Sequence, residues 1–206
     1  SMKYARSLVR LRIDERLSAL RKRMAEGRDP SAEEDTLQYL LYTVRSTGAR
    51  RILEIGTGEG VSGAAMLLEA PDAFLVTVEK EEERRRKAEE LFDGLGLSGR
   101  VHSVLGDAAD LLPALETPFD LIFLDGPKAQ YLAYLPDLKR LLKKGGVLFA
   151  DDVFLFGWVS GEVPAPAKRM SIVNKLRGFL EAVSDDPELI TCVLDLGDGV
   201  SVSVKK

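Results

Sequence analysis

Three aspartates and one lysine in the second half of the sequence have residue types and spacing suited to metal or proton chemistry. Asp125 ends one apolar run, and the pair Asp151 and Asp152 ends another. If both runs are neighbouring parallel strands, their carboxyl ends bring the three carboxylates to one edge of the sheet. Three close carboxylates repel one another unless a cation or a base lies among them. Lys128 follows Asp125 by one short turn, so its side chain can point to the same place.

The alternative interpretation of these acids is that one of them caps a helix and the other two are solvated. The chain contains one cysteine, Cys192, and one histidine, His102, which are too few for a Cys/His zinc site. Any metal ion must therefore be held by oxygen ligands, which favours a hard cation such as Mg²⁺.

A second candidate site follows the first predicted strand, where Gly56, Gly58 and Gly60 precede a helix. Glycines allow a ligand to approach the backbone, and the helix N-terminus offers it free N–H groups. Nicotinamide enzymes need the pattern G-x-G-x-x-G, and Val61 stands where the third glycine would be. Glu54 lies inside the strand, which disfavours a pyrophosphate and suits a ligand with a cationic amino-acid end.

Acidic residues also follow the next two predicted strands. Glu79 ends the second strand, where a carboxylate can accept hydrogen bonds from both hydroxyls of a ribose. Asp107 follows the third strand, where it can bind the amino group of an adenine. Open α/β sheets bind their ligands along this edge. The alternative for each acid, taken alone, is a helix N-cap or a solvated loop residue.

Alternating strands and helices position these residues and indicate βαβ units around a sheet buried on both faces. The pattern predicts strands at residues 51–55, 74–78, 101–105, 119–124, 146–150, 189–196 and 200–204. It predicts helices at residues 61–68, 80–92, 108–115, 129–142 and 168–183. Gly197-Asp198-Gly199 indicates a closing hairpin. We therefore predict an α/β fold with a mostly parallel seven-stranded sheet, an antiparallel last strand and helices on both faces.

A helical extension of 47 residues precedes the first strand of what we predict to be a single domain, residues 1–206. Apolar residues at helical spacing predict one amphipathic helix over residues 4–26. Ser31 and Glu34 have the spacing of a capping box and predict a second helix over residues 32–47.

The composition is that of a folded globular protein. The 206 residues are 45% hydrophobic and 30% charged, with a net charge of −4, which excludes a disordered chain, a collagen and a disulfide-stapled miniprotein. No apolar run predicts a membrane span or a signal segment, so we expect a cytoplasmic protein. Residues 1–28 contain nine basic and three acidic residues, and this charge of +6 marks a candidate contact surface for nucleic acid.

The glycine-rich segment and the acids at three strand ends resemble those of the Rossmann-like class of S-adenosylmethionine (SAM) methyltransferases. An antiparallel closing strand is typical of that fold too. The resemblance extends from about residue 30 to the C-terminus and implies SAM as the cofactor. The residues that it implies in SAM binding are Glu54, Gly56, Thr57, Gly58, Ser62, Glu79, Lys80, Asp107, Ala108 and Asp125.

The segments DGPKxxY and GGVLFADDV resemble the metal-dependent O-methyltransferases of the catechol and caffeoyl-coenzyme A type, family 3. This resemblance implies that Asp125, Asp151 and Asp152 bind Mg²⁺, Mn²⁺ or Ca²⁺. It implies Lys128 as the general base. The family usually has Asn where this chain has Asp152, a change that keeps the oxygen ligand and adds a negative charge. Ser62 matches a serine that contacts the methionine carboxylate of SAM.

The C-terminal part, including Lys168, Arg169 and the Lys205-Lys206 tail, is similar to bacterial members of this family. Some of those methylate 5-hydroxyuridine in tRNA, a base whose vicinal oxygens form a chelating pair like that of a catechol. The resemblance implies a homodimeric O-methyltransferase acting on tRNA or on a small catechol-like phenol. The alternatives are a non-catalytic SAM-binding protein and a nicotinamide-dependent oxidoreductase.

Other features receive structural interpretations. The charged run at residues 80–86 predicts a solvated helix face. Cys192 alternates with apolar neighbours within a predicted strand, which predicts a small buried side chain. Phe156 and Trp158 precede a loop rich in glycine and proline, and they belong either to the core or to the wall of a substrate site.

Overall fold

The computed structural model describes residues 2–27, 29 and 31–206. The strands are β1 (Arg51–Ile55), β2 (Phe74–Glu79), β3 (Val101–Leu105), β4 (Phe119–Leu124), β5 (Leu142–Ala150), β6 (Leu189–Leu194) and β7 (Val200–Lys205). The α-helices are α1 (Met2–Leu8), α2 (Glu15–Glu26), α3 (Glu34–Thr47), α4 (Val61–Glu69), α5 (Glu82–Gly94), α6 (Ala108–Leu111), α7 (Tyr131–Leu141) and α8 (Met170–Asp185). Short 3₁₀ turns occupy Ser98–Arg100, Leu112–Ala114, Lys128–Gln130 and Ala167–Arg169.

The seven strands form one sheet in the order β3-β2-β1-β4-β5-β7-β6. Strand β7 runs antiparallel to both of its neighbours, and the other pairs are parallel. The predicted fold class is therefore confirmed. Ile55 pairs with Leu124, and Leu124 pairs with Ala150, so β1, β4 and β5 end at the same height. The residues that follow these strands consequently meet at one edge.

Both faces of the sheet are buried, because successive side chains of its central strands enter opposite cores. In β4, Phe123 packs into the core covered by α2, α3, α4 and α5, and Leu124 packs into the core covered by α7 and α8. The buried residues of α8 recur at helical spacing, which explains how this helix covers the second core. They are Val173, Leu176, Phe179 and Val183.

The prediction of one continuous helix over residues 4–26 is wrong, because the chain forms α1 and α2 with an irregular segment between them. The carboxylate of Asp14 accepts a hydrogen bond from the backbone N–H of Arg16 (2.9 Å) and caps α2. The buried apolar residues all lie in α2, whereas Tyr4 and Leu8 of α1 are exposed. The cap at Asp14 therefore starts a separate helix, although the apolar spacing continues across it.

The predicted capping box is also wrong. Helix α3 has Glu33 at its N-cap, with no side-chain cap bond. The hydroxyl of Ser31 instead accepts a hydrogen bond from Nε of Arg21 (3.2 Å), so it connects α2 to the segment before α3.

Cys192 is exposed rather than buried, because β6 is the edge strand and part of its surface is uncovered. None of the helices in the described part of the chain combines the length and the apolar character needed to cross a membrane.

Candidate active site

A cavity of about 320 Å³ lies at the carboxyl edge of β1, β2, β3 and β4. The predicted cofactor residues that line it are Gly56, Thr57, Gly58, Ser62, Glu79, Lys80, Asp107, Ala108 and Asp125. Residues outside that prediction also line it, notably Met24, Asp29, Ser31, Arg84 and Tyr134. The structure therefore brings together the strand-end residues of four neighbouring strands, and it adds a wall from the N-terminal helical region.

The turn after β1 requires glycine because the backbone of β4 approaches it closely. Gly56 has φ +96°, and a Cβ atom there would lie 2.1 Å from the carbonyl oxygen of Asp125. The N–H of Gly58 donates to Oε2 of Glu79 (2.9 Å), and the N–H of Glu81 donates to Oε1 of the same carboxylate (3.0 Å). Glu79 is thereby held in one orientation at the cavity wall.

Glu54 lies behind the cavity rather than on its wall. Its side chain is fully buried, and it accepts hydrogen bonds from the hydroxyls of Ser62 (2.6 Å) and Thr77 (2.7 Å). Burial raises the pKa of Glu54 to about 7, and these two hydrogen bonds oppose the rise. Glu54 is therefore not part of the cavity lining, whereas Ser62 both lines the cavity and donates to Glu54.

Asp107 is both a helix N-cap and a residue of the cavity wall, the two positions that the sequence allowed for it. It is the N-cap of α6, where its carboxylate accepts a hydrogen bond from the N–H of Ala109 (2.9 Å), and it also lines the cavity. Tyr134 from α7 lies at the same part of the wall. Burial and the nearby negative charge of Asp107 raise the pKa of Tyr134 to about 12, so its hydroxyl stays protonated.

Arg84 also belongs to this wall. The prediction that residues 80–86 form a solvated helix face did not identify it. Its side chain is 30% exposed, and one terminal nitrogen lies 2.6 Å from the carboxylate of Asp29. Ala88 and Phe92, four and eight residues later, are buried, so Arg84 shares the inward face of α5. That spacing is a sequence signal that identifies Arg84.

The three predicted metal ligands come together beside this cavity. Asp125, Asp151 and Asp152 each offer an oxygen, and these atoms lie within 4.8 Å of one another. The backbone explains the arrangement, because the N–H of Asp151 donates to the carbonyl of Leu124 (2.9 Å) and the N–H of Asp125 donates to that of Ile55 (2.9 Å). The ladder of the sheet therefore extends one residue beyond the strands and fixes both acids.

Lys128 lies among these carboxylates. Its Nζ atom is 2.9 Å from Oδ1 of Asp125, 3.0 Å from Oδ2 of Asp152 and 3.0 Å from the hydroxyl of Tyr131. Burial disfavours the ammonium group, but Tyr131, Asp125 and Asp152 outweigh it and hold the pKa of Lys128 well above its usual value. Lys128 is consequently charged in this arrangement.

Two of the three carboxylates, those of Asp125 and Asp151, resist ionisation. Burial raises the pKa of Asp151 to about 8, and the negative charges of Asp125 and Asp152 add to the rise. Burial also raises the pKa of Asp125, while Lys128 opposes that shift. One ammonium group therefore leaves part of the negative charge of these acids uncompensated, and either a proton or a further cation could compensate it.

An aromatic loop lies directly after these acids in the chain. Leu155 and Phe156 have φ values of +48° and +59°, a conformation that bulky residues rarely adopt. The carboxylate of Asp198 holds the loop by accepting the N–H of Phe156 (2.8 Å). The ring of Phe156 is 68% exposed and lies 5.1 Å from that of Trp158. Phe156 is therefore not a core residue.

Comparison with known proteins agrees with this geometry. The profile of a family described as O-methyltransferase matches residues 12–206. A Mycobacterium marinum protein described as a candidate O-methyltransferase is 31% identical over 169 residues, which cover 81% of this chain and 74% of that protein.

Two solved structures show the same fold with cofactor bound. The O-methyltransferase TomG of Streptomyces achromogenes, in complex with SAM, has a TM-score of 0.84 and 28% identity, and the match covers 98% of this chain and 94% of that one. The SAH-bound methyltransferase PaMTH1 of Podospora anserina has a TM-score of 0.85 and 27% identity, with coverage of 100% and 93%.

The family match spans nearly the whole chain and includes every strand of the sheet. It decides against the alternatives of a non-catalytic SAM-binding protein and of a nicotinamide-dependent oxidoreductase. The chain belongs to family 3 of the O-methyltransferases and is a SAM-dependent O-methyltransferase.

Proposed function

We propose that this enzyme is divalent-metal-dependent and transfers the methyl group of SAM to one hydroxyl of a substrate with two vicinal oxygens. The observation that carries the proposal is the shared residue Asp125, which lines the cofactor cavity and also belongs to the three-carboxylate group. A metal-bound substrate oxygen would therefore be adjacent to the cofactor. This adjacency is what direct methyl transfer between two bound ligands needs.

Within the cofactor cavity, we propose that Glu79 accepts the ribose hydroxyls and that Asp107 binds the adenine amino group. Glu79 is suited to this role because two backbone N–H groups hold its carboxylate at the wall. The turn at Gly56, Thr57 and Gly58 leaves room for the ligand beside the backbone. Lys80, Ala108 and Ser62 complete the proposed contacts along the same cavity.

The donor set of the second site fits a hard cation. Asp125, Asp151 and Asp152 offer carboxylate oxygens only, which suit Mg²⁺, Mn²⁺ or Ca²⁺. The raised pKa values of Asp125 and Asp151 indicate that the group needs more positive charge than Lys128 supplies. Asp152 has φ +55°, a conformation that both Asp and Asn tolerate, so the acid adds charge without changing the backbone.

Lys128 and Tyr131 are the residues that we propose for the proton transfer. A bound divalent ion would acidify the chelated substrate hydroxyl and would compensate the carboxylates that now hold a proton on Lys128. With the ion bound, Lys128 would release its own proton to solvent, and its neutral Nζ would then accept the proton of the substrate hydroxyl. Tyr131 steadies Lys128, since its hydroxyl accepts from Nζ and lies 3.1 Å from the carbonyl oxygens of Leu124 and Asp151. Substrate and cofactor are then held in line.

We propose small catechol-like phenols as the first candidate substrates. Several basic side chains of the N-terminal region already have partners within the chain, so they are less available for phosphates. Arg6 bonds to Asp195, Arg16 to Asp14, and Arg21 to the carbonyl of Ala32. The exposed Phe156, whose ring contacts the half-buried Trp158, offers a planar aromatic substrate a surface to stack on.

5-Hydroxyuridine in tRNA is the second candidate substrate, because it presents the same vicinal oxygens. Arg12, Lys22 and Arg23 are exposed on the N-terminal region and supply positive charge that a phosphate backbone can bind. The exposed Lys168 and Arg169 add to this charge. An assay of methyl transfer distinguishes the two candidates, because the label enters either tRNA or a small phenol.

The deciding experiment measures transfer of labelled methyl groups from SAM to a catechol panel and to bulk tRNA from a strain that lacks the enzyme. We expect transfer to catechols that requires Mg²⁺ and stops in EDTA. Transfer to tRNA alone would replace the small phenol with the RNA. Full activity in EDTA would contradict the metal-dependent mechanism for either substrate.

We also propose that the protein is a homodimer that pairs through the edge of the sheet at β6. Ile190 and Val204 face each other across β6 and β7, and they are 59% and 38% exposed. Exposed apolar residues on an edge strand favour association with another chain. Sedimentation should show a dimer that Ile190→Lys converts to a monomer. A monomeric unmodified protein would contradict the proposal.

A further inference from the structure

The cofactor cavity has an unusual charge balance for a ligand that carries one carboxylate. Among the described residues that line it, the cationic side chains are Lys80 and Arg84. Its acidic side chains are Asp29, Glu59, Glu79, Glu81, Asp107 and Asp125. These acids suit the sulfonium and amino groups of SAM, but they repel its carboxylate. That carboxylate therefore needs a strong donor close by.

The hydroxyl of Ser62 does not supply this donor in the observed arrangement. Its hydrogen is used in the 2.6 Å bond to Oε2 of Glu54. The partner is fully buried, and replacing this bond would leave a buried acid with one donor fewer. The hydroxyl can still accept a hydrogen bond from the cofactor, but a carboxylate accepts and cannot donate.

Arg84 has the position and the unused hydrogen-bond donors for this role. One of its terminal nitrogens is 3.8 Å from the place where a Cβ of Gly58 would lie, which puts the guanidinium beside the glycine-rich turn. Its Nε–H is buried and has no hydrogen-bond partner within the described part of the chain. The terminal nitrogen beside the turn, Nη2, also donates to the carboxylate of Asp29 at 2.6 Å. Asp29 therefore fixes the guanidinium beside the turn, while the other terminal nitrogen, Nη1, donates to no acceptor among the described residues.

Arg84 lines the same cavity as Asp125, the residue that also belongs to the three-carboxylate group. Lys80 is a poorer candidate, because it directly follows Glu79 and its side chain is exposed at the mouth of the cavity. Arg84 is therefore the cation of the cavity lining that lies beside the glycine-rich turn.

We propose that Arg84 binds the carboxylate of the methionine moiety of SAM, and that Asp29 orients the guanidinium for this contact. The fork of donors on an arginine matches the two oxygens of a carboxylate, so the contact contributes both charge and orientation. The anchor lies on the cofactor side of the site, apart from the three-carboxylate group. It is consequently independent of metal binding and of the identity of the methyl acceptor.

Calorimetry on the full chain tests the assignment with two ligands that differ only in the carboxylate. S-adenosylhomocysteine has this group, and S-adenosyl-3-thiopropylamine is the same molecule without it. We expect Arg84→Met to weaken binding of the first ligand at least tenfold and to leave binding of the second within twofold. The control Arg86→Met removes an arginine that pairs with Glu83 and Glu90 on the outer face of α5, and it should change neither affinity.

Two results would overturn the assignment. Unchanged binding of S-adenosylhomocysteine to the Arg84→Met variant would show that Arg84 makes no contact with the carboxylate. Equal weakening of both ligands would show that Arg84 only maintains the shape of the cavity. Should Arg84→Met fail to fold in a thermal melt, Arg84→Lys allows the same comparison, because it keeps the charge and loses the fork.

Discussion

The Nζ atom of Lys128 lies 3.0 Å from Oδ2 of Asp152, and this contact bridges the chain segments that follow β4 and β5. The same nitrogen is bonded to Asp125, so one ammonium group contacts two of the three clustered acids. Only 14% of the lysine side chain is exposed. In the proposed metal site, Lys128 and a divalent ion would therefore compete for the same oxygens, and each would compensate their charge when the other is absent.

Removal of Lys128 should make the protein depend on metal for its stability. Lys128→Met leaves three acids without their counter-charge, so in EDTA at pH 8 we expect a loss of about 2 kcal/mol, or a decrease of about 4–8 °C in Tm. Saturating Mg²⁺ should raise the Tm of the variant more than that of the unmodified protein. The control Lys143→Met breaks the more exposed ion pair with Asp120 and should cost less than 1 kcal/mol. Identical melts of variant and parent in EDTA would contradict this compensation.

Substitution of Asp151 can separate the proposed metal binding from cofactor binding, because Asp151 belongs to the three-carboxylate group and does not line the cofactor cavity. For Asp151→Asn we expect at least a 100-fold loss of Mg²⁺-dependent methyl transfer, with S-adenosylhomocysteine affinity within about threefold of the parent. Asp125→Ala should also abolish transfer, and Asp137→Asn on the outer face of α7 is the matched control. Retained activity in Asp151→Asn would remove this acid from the mechanism.

Much of this site could be predicted from the sequence, because its residues follow apolar strands whose register places their ends together. The parallel order puts Leu124 opposite Ala150, and Asp125 and Asp151 meet for that reason alone. Side chains that approach from helices were harder to place. Arg84 belongs to a highly charged run, and only its spacing from the buried Ala88 distinguishes it from its solvated neighbours.

The N-terminal region was predicted less accurately, because local hydrogen bonds decided its structure. Asp14 caps α2 and ends the continuous helix that the apolar spacing indicated. Ser31 has the spacing of a cap, yet its hydroxyl accepts from Arg21 of another helix. The spacing of apolar residues does not show which hydrogen-bond donor a short polar side chain will accept from. Asp and Ser can each accept from more than one donor, and the folded structure decides between them.

Glu54 should give the stability of the fold a defined pH dependence. Its pKa rises from a usual value near 4.5 to about 7 in the folded chain, chiefly through burial. The resulting stabilisation is complete below pH 4.5 and is lost as the pH rises through about 7, so the free energy of unfolding falls by about 2 kcal/mol between pH 5 and pH 8. Asp151, whose pKa is also raised, keeps its own contribution to this pH dependence, but urea unfolding of Glu54→Gln at both pH values should lack about 2 kcal/mol of the fall. The control Glu69→Gln, at an ion pair with Arg45, should keep it, and an unchanged slope in Glu54→Gln would contradict the assignment.

Gly56 and Gly48 separate the cost of a left-handed backbone from the cost of a close approach. Both have positive φ values, +96° and +60°, but a Cβ on Gly56 would lie 2.1 Å from the carbonyl oxygen of Asp125, whereas no described atom lies within 4 Å of one on Gly48. Gly48→Ala should cost about 1 kcal/mol in urea unfolding and leave S-adenosylhomocysteine binding unchanged. Gly56→Ala should cost about 3 kcal/mol and weaken that binding at least tenfold, because the turn must move away from β4. Equal losses for the two variants would mean that the contact with Asp125 does not constrain the turn.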